Sequence, residues 1–568
     1  MHSFRKFFTI MLMTVQVTVA VLLVSIAQVQ AETTAVDSIE AGKRIYREGI
    51  LPSGQPLKAI IQSDIEISGS QLNCMSCHRR SGFGSSESGI IVPPITGTAL
   101  WRGQEIRRQL LFKNITSGRK EYTRSQPMRP AYNEETLAQV IRDGIDSSGR
   151  KLDSLMPRYI FSELEIEYLT AYLKSISDKP SPGVTDTVIN FATVITEGVD
   201  PGKQKAMVDV LESFFHDRSA EGRGETIRAK RGAWHRNWRD FSYRAWKLHI
   251  WKLSGPRETW REQLDSFYQS QPVFALIGGI GTGSWQPIHN FCEANELACL
   301  FPTTDYPFIS ETNYYNLYFN KGVTLEANAL AKYLTYIKPN TKKPEKILQV
   351  FHSNPGGSMP VQALNKAMQT HDTFSISQQV IEDADTLTAA YWQTLIEQEQ
   401  PSILVLWLDD KYLHSIDAGL NNVNGIDEIY ISGSLIEQPF KSVPKRIRDK
   451  VFIVHPYALP ELNARGMMRT KPWLRTREIE SPYLRLQANT LFSAIITGMA
   501  IKRMLDNYSR NYMIEKMEHM VENTQATGAY PRLSLGPGQR FASKGVYIGK
   551  FSSETEDKII PASQWITP

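Results

Sequence analysis

The chain has 568 residues, of which 41% are hydrophobic and 22% charged, with a formal net charge of +5. That length exceeds one ordinary core, so two or three domains are expected. The composition is that of a folded soluble protein, and so small a charge excess gives no reason to invoke nucleic acid as a partner.

At the N-terminus Arg5 and Lys6 precede an apolar run from Phe7 to Ala27, and Val29-Gln30-Ala31 places small residues at the −3 and −1 positions. This pattern predicts an export signal over residues 1–31, cleaved after Ala31, and a periplasmic or secreted protein. The run, about 20 residues, is also long enough to remain as a membrane anchor; Gln16 and several threonines weigh against that. Residues 38–177 then read as a small all-α domain. A short helix begins at Ile39, and better ones are expected over Glu134–Ile145 and Ser162–Ile176, the last with Leu164, Tyr168, Tyr172 and Leu173 on one face.

Between them lies Cys74-Met75-Ser76-Cys77-His78. Two thiols three apart, followed at once by an imidazole, form the attachment site of a c-type haem. Each sulfur adds to one porphyrin vinyl group, and the adjacent histidine becomes the proximal iron ligand. The same short motif also serves thiol redox pairs and zinc sites. Here no strand–helix–strand unit surrounds it, and no further Cys or His lies between Arg79 and Ser177. One covalent haem c is therefore expected on Cys74 and Cys77, with iron on His78. Met156, in Asp153-Ser-Leu-Met-Pro-Arg-Tyr159, is the expected sixth ligand, because proline fixes the turn that presents its sulfur. Met128 competes, and Met75 sits inside the motif with the wrong geometry.

Gly42-Lys-Arg-Ile-Tyr-Arg-Glu-Gly49, the haem motif, Val92-Pro-Pro-Ile-Thr-Gly97, Asp143–Arg150 and Met156-Pro-Arg-Tyr159 together resemble the monohaem class I cytochrome c domain over residues 38–177. The resemblance implies His78/Met156 coordination and low-spin, six-coordinate iron. A carbonyl of the Pro93-Pro94 loop is expected to accept the proton of the other His78 nitrogen, and Arg79 or Arg80 to face a propionate. A filled sixth site favours one-electron transfer over enzymatic haem chemistry.

Asp178-Lys-Pro-Ser-Pro-Gly-Val-Thr-Asp186 is a linker. Beyond it, over residues 187–568, strand-like runs alternate with amphipathic helices: Val188–Val194, Trp246–Ile250, Val273–Ile277, Ile347–Phe351, Ile403–Leu408, Glu428–Ile431 and Val451–Val454. That alternation predicts parallel sheets with helices on both faces, in two lobes. The strand ending at Ile277 runs into a glycine loop with Thr282 and Ser284, and Leu297–Phe301 runs into Pro302-Thr303-Thr304-Asp305. Hydroxyls at the carboxyl ends of parallel strands are candidate ligand contacts, although such groups commonly just cap the next helix. Cys292 and Cys299 are either a disulfide or two buried thiols, since sequence does not fix their geometry.

The order of these elements resembles the type I periplasmic solute-binding fold, the two-lobed family that includes branched-chain amino-acid receptors. It implies that Thr282 holds a ligand carboxylate, with Thr303 or Thr304 as the second-loop hydroxyl. The basic, aromatic segment Arg228–Arg239 departs from the short loop usual there and is positioned to fill or cap the cleft. No catalytic constellation emerges: Asp409-Asp410 reads as a cap or turn, and His216, His235, His249, His289, His352 and His455 lack metal-ligand spacing. Two functions are thus expected to compete. One is electron transfer through haem, with the large domain recognising a small molecule or docking a redox partner such as an exported dehydrogenase. The other is a solute receptor for a transporter or sensor, with the haem as a redox gauge.

Overall fold

The computed structural model describes residues 37–568 except 62–63, 88–89, 102–128, 178, 231–243, 311, 338–344, 355, 372, 384–386, 414–415, 417–424, 523–527 and 555–557. The export signal, Met128 and residues 231–239 of the basic segment lie outside the described residues. The chain forms two compact units, Met1–Pro180 and Ser181–Pro568.

In the first unit, helix α1 (residues 37–48) and the short turn α2 (Met75–His78) precede α3 (Glu134–Arg142) and α4 (Glu163–Ser175). α3 and α4 each begin with a capping box: the Asn133 side chain accepts the Thr136 amide and Ser162 accepts the Glu165 amide. The α4 face that packs carries Ile166, Leu169, Tyr172 and Leu173, against Ile45, Tyr46 and Leu137. Tyr172 and Leu173 face the core as expected and Tyr168 is partly buried against it, but Leu164 points away and is 54% exposed, so the expected face is rotated by roughly a quarter of a turn.

The unit is not all-α. Strands β1 (Lys58–Ile61), β2 (Ile65–Ser68) and β5 (Arg158–Tyr159) form an antiparallel sheet in the order β2-β1-β5, and β3 (Ser85–Glu87) pairs with β4 (Ile90–Val92). These strands have four residues or fewer, too short to show the alternation that marks a strand in sequence.

The second unit holds two sheets. The first comprises β6 (Val188–Ile195), β7 (Ala245–Lys252), β8 (Ala275–Ile277), β9 (Ala298–Leu300) and β10 (Asn316–Leu317), all parallel in the order β10-β9-β8-β6-β7. The second comprises β11 (Glu345–His352), β12 (Phe374–Ile381), β13 (Ile403–Trp407), β14 (Glu428–Ser432), β15 (Val451–His455), β16 (Tyr547–Phe551) and β17 (Ile559–Pro561). Its order is β12-β11-β13-β14-β15-β16-β17, with only β16 and β17 antiparallel. Central strands such as β13, Ile-Leu-Val-Leu-Trp, are buried on both faces, as covered parallel sheets require.

Three crossings join the lobes. After β10 the chain enters α7 (Gly322–Lys332), whose apolar side packs with the second lobe; helices α5 (Pro201–Lys230) and α6 (Gln286–Ala294) precede it in the first. After β15 it returns, and α8 (Leu484–Met504) and α9 (Arg510–Met520) pack on α5, β8 and β9. β16 then rejoins the second sheet. No described helix is long and apolar enough to cross a membrane; the 21 residues of α8 are spent inside the lobe.

Cys292 on α6 and Cys299 on β9 are disulfide-bonded, with Cα atoms 6.4 Å apart. Arg510, 5% exposed, donates to the carbonyls of Pro182, Val273, Phe274 and Asn295, so one guanidinium ties the start of the unit to two loops of the first sheet.

Candidate functional site

Two sites are considered, one in each unit. In the first, Cys74 stands at the N-terminus of α2, Cys77 is exposed on it, and His78 closes it, with the His78 amide donating to the Cys74 carbonyl at 2.9 Å. Arg79 ends the turn with φ +64, and its carbonyl accepts the Tyr46 hydroxyl at 2.7 Å. His78 is 9% exposed, and burial pulls its pKa down to about 4, so the ring is neutral at ordinary pH. Its Nδ1 lies 3.0 Å from the Pro93 carbonyl. A carbonyl only accepts, so Nδ1 holds the hydrogen and Nε2 keeps a free lone pair, the tautomer of an oriented metal ligand.

The thiols do not resemble a redox pair. Burial pushes Cys74 up to about 12, whereas reactive thiols are held low. Nor do the described residues bring three or more His, Cys, Asp or Glu side chains together for a metal such as zinc. Elsewhere in the same unit Ile90, Ile91 and Leu155 are 51, 56 and 64% exposed, apolar surface that a flat apolar group would cover. Met156, half-buried, follows Leu155 on a loop that Arg158 holds through the Leu152 and Met156 carbonyls. Gly144, with φ +71, makes room for that guanidinium; a Cβ there would lie 2.0 Å from it.

In the second unit a cavity of 420 Å³ opens at the seam of the lobes. The first lobe contributes the loops after β6, β8 and β9, and the second contributes the ends of β11, β13 and β14. Thr282, Thr303 and Thr304 line it, and Ser284 does not. Ser284 accepts the Gln286 amide at 3.3 Å, a local turn just before α6. Thr282 donates its hydroxyl to the Glu197 carbonyl at 2.9 Å, so its only hydrogen is committed and its oxygen cannot donate to a carboxylate. Thr304 accepts the Tyr306 amide at 3.2 Å.

The charged groups of the cleft were not evident from sequence. Asp200, Asp305, Asp409, Asp410 and Glu437 face Lys203, Lys411 and Arg485, five carboxylates against three cations. Asp200 and Asp410 are occupied structurally: Asp200 accepts the Lys203 amide and the Tyr483 hydroxyl, and Asp410 the Glu437 amide and the Ser442 hydroxyl. Lys203 and Arg485 share Glu437 at 2.9 and 3.8 Å. Arg485 also lies 4.3 Å above the Tyr457 ring and donates to the Gly433 and Ser434 carbonyls. Burial pushes Asp305 up to about 6, against the pull of Arg485. Behind it Glu326 is fully buried and pushed up to about 8 by that burial, while accepting the Ser434 amide at 2.9 Å.

No known family and no curated protein matches the chain. It is similar to solved structures at low identity. A fatty acid ABC transporter substrate-binding protein from Thermomonospora curvata is 14% identical with a TM-score of 0.47, over 69% of this chain and 95% of that one. A branched chain amino acid ABC transporter from Thermus thermophilus with bound valine is 12% identical with a TM-score of 0.49, over 68 and 98%. A leucine binding protein from Thermotoga maritima is 10% identical with a TM-score of 0.47, over 67 and 99%.

Proposed function

We propose that this protein is an exported solute receptor whose first unit carries one covalent haem c. The cleft carries this reading: a 420 Å³ cavity lined from both lobes by aromatic rings and unevenly matched charges has the size and chemistry of a small-molecule site. A pure electron carrier has no need of such a cavity.

For the first unit, Cys74 and Cys77 would hold the haem, with His78 Nε2 and the Met156 sulfur toward the iron. The group itself would supply one-electron transfer to a redox partner protein. The chain's own part is to keep His78 neutral and aimed by Pro93, and to surround the group with apolar side chains. The haem would then act as carrier or redox gauge beside a receptor.

A native mass spectrum of the protein exported alongside haem-maturation machinery tests both halves. One covalent haem plus an additional small-molecule mass is the expected result. Haem without any retained or added ligand, across a broad metabolite screen, would return the second unit to a docking role. Absence of covalent haem under those conditions would end the cytochrome reading.

A further inference from the structure

The charge of the ligand can be read from two groups that the protein leaves unsatisfied, an inference that rests on the receptor reading above. Asp305 lines the cleft, yet among the described residues no cation lies within 4 Å of its carboxylate and no hydrogen bond reaches it. The two cations nearest in function, Lys203 and Arg485, both turn to Glu437 instead. Asn320 is 6% exposed and also lines the cleft. Its Oδ1 accepts the Gly322 amide at 2.8 Å, while its buried Nδ2 has no acceptor. An orphaned buried donor of this kind costs about 1–3 kcal/mol unless a partner arrives. The two groups are neighbours, because the Val323 amide donates to the Asp305 carbonyl at 3.1 Å across the turn that Asn320 begins.

We propose that the cleft is built for a small organic cation, an ammonium-bearing molecule whose charge sits at Asp305 among Tyr306, Tyr457 and Tyr530 while an acceptor atom takes the Asn320 amide hydrogens. Tyrosine faces attract cations; Arg485 already lies over the Tyr457 ring, so Tyr306 and Tyr530, each 7% exposed, are the rings left for a ligand cation. An anion would leave Asp305 unpaired in a cleft already richer in carboxylates than in cations. The loop hydroxyl best placed to receive an anion, Thr282, has spent its hydrogen on Glu197.

Protons compete for the same carboxylate. Burial, Glu437 and Asp409 raise Asp305, and Arg485 and Lys203 lower it, leaving it near 6 in the empty cleft; Glu326 stands behind it. A bound cation favours the charged form, so affinity weakens as pH falls through that value.

The experiment is a thermal-shift screen of the exported full-length holoprotein against compounds of one carbon skeleton and different charge. Putrescine, 4-aminobutanol, 4-aminobutyrate, butane-1,4-diol and succinate form the first set, and choline, valine and leucine the second. Stabilisation by cations is expected. The best binder should lose about tenfold or more in affinity in Asp305→Asn and a similar factor between about pH 7.5 and about pH 5. The variant's own unliganded melting temperature checks its fold. Stabilisation chiefly by succinate, the diol or the amino acids would overturn the cation proposal and leave the receptor standing, as would a cation bound equally well by Asp305→Asn. If no compound of any charge in these sets or a wider metabolite library binds, the receptor reading fails together with the proposal.

Discussion

In the first unit Ile90, Ile91 and Leu155 stand half exposed or more, whereas the cleft of the second unit is lined by Tyr306, Tyr457, Tyr530 and Trp407, none above 7%. The first unit leaves apolar surface open, and the second leaves polar valences open: the Asp305 carboxylate and the Asn320 amide. An open apolar surface calls for a filler that becomes part of the core. Open polar valences in a finished frame call for an occupant that comes and goes, since water can replace it at modest cost. On the reading proposed above, the contrast corresponds to a resident group in one unit and an exchangeable one in the other.

The largest effect that would break this contrast is predicted for the double variant Cys74→Ala/Cys77→Ala, which removes both of the proposed attachment points. The first unit should lose its filler and become protease-sensitive between residues 37 and 177, while the 181–568 unit survives digestion intact. Limited proteolysis read by mass spectrometry decides it. Equal resistance in variant and wild type would mean that the first unit is complete without a bound group.

A second variant probes the claim that the other unit is finished by its own chain. Arg510→Met deletes a buried guanidinium and strands the Pro182, Val273, Phe274 and Asn295 carbonyls. Leaving such groups unpaired should cost about 3 kcal/mol or more, seen as a lower denaturant midpoint for the second unit with the first unit's transition unchanged. A loss below about 0.5 kcal/mol would show that this tie is replaceable by water.

The two sites also differ in how far they can be read before folding. Cys74, Cys77 and His78 lie within five positions, so their chemistry is local and the motif announces it. The buried strands of the second unit are legible for a similar reason: Ile403–Trp407 is one unbroken apolar run. The short strands Lys58–Ile61 and Ile65–Ser68 are not, because neither is long enough to show a period and the second exposes three of its four side chains. The cleft is the least legible part. Thr303 and Thr304 stand out beside a strand end, but Arg485, Tyr457 and Tyr530 reach Asp305 only because the chain crosses between lobes three times. Ser284 carries the same local signal as the cleft-lining threonines and closes a local turn instead. A hydroxyl at a strand end identifies a loop, and only the fold says which way it faces.

The smallest effect sharpens the contrast from inside the cleft. Glu326 is fully buried, and its pKa stands at about 8 against an ordinary 4.5 because burial disfavours the charged form. Between those values the folded protein binds a proton that the unfolded chain has released, so stability falls as pH rises. The contribution is fully present below about pH 4.5 and lost as pH passes through about 8. Asp305, raised to about 6 from 3.8, adds to the slope at its acidic end. Glu326→Gln keeps a carbonyl for the Ser434 amide and has no proton to lose. It should therefore flatten the dependence and exceed the wild type by about 2 kcal/mol near pH 9, with little difference near pH 5. Urea midpoints across that range measure it. Parallel curves for the two proteins would place Glu326 in contact with solvent or a partner that already neutralises it. A flattened curve would show a carboxylic acid kept protonated behind the cleft, which confines its negative charge to Asp305 and the rim.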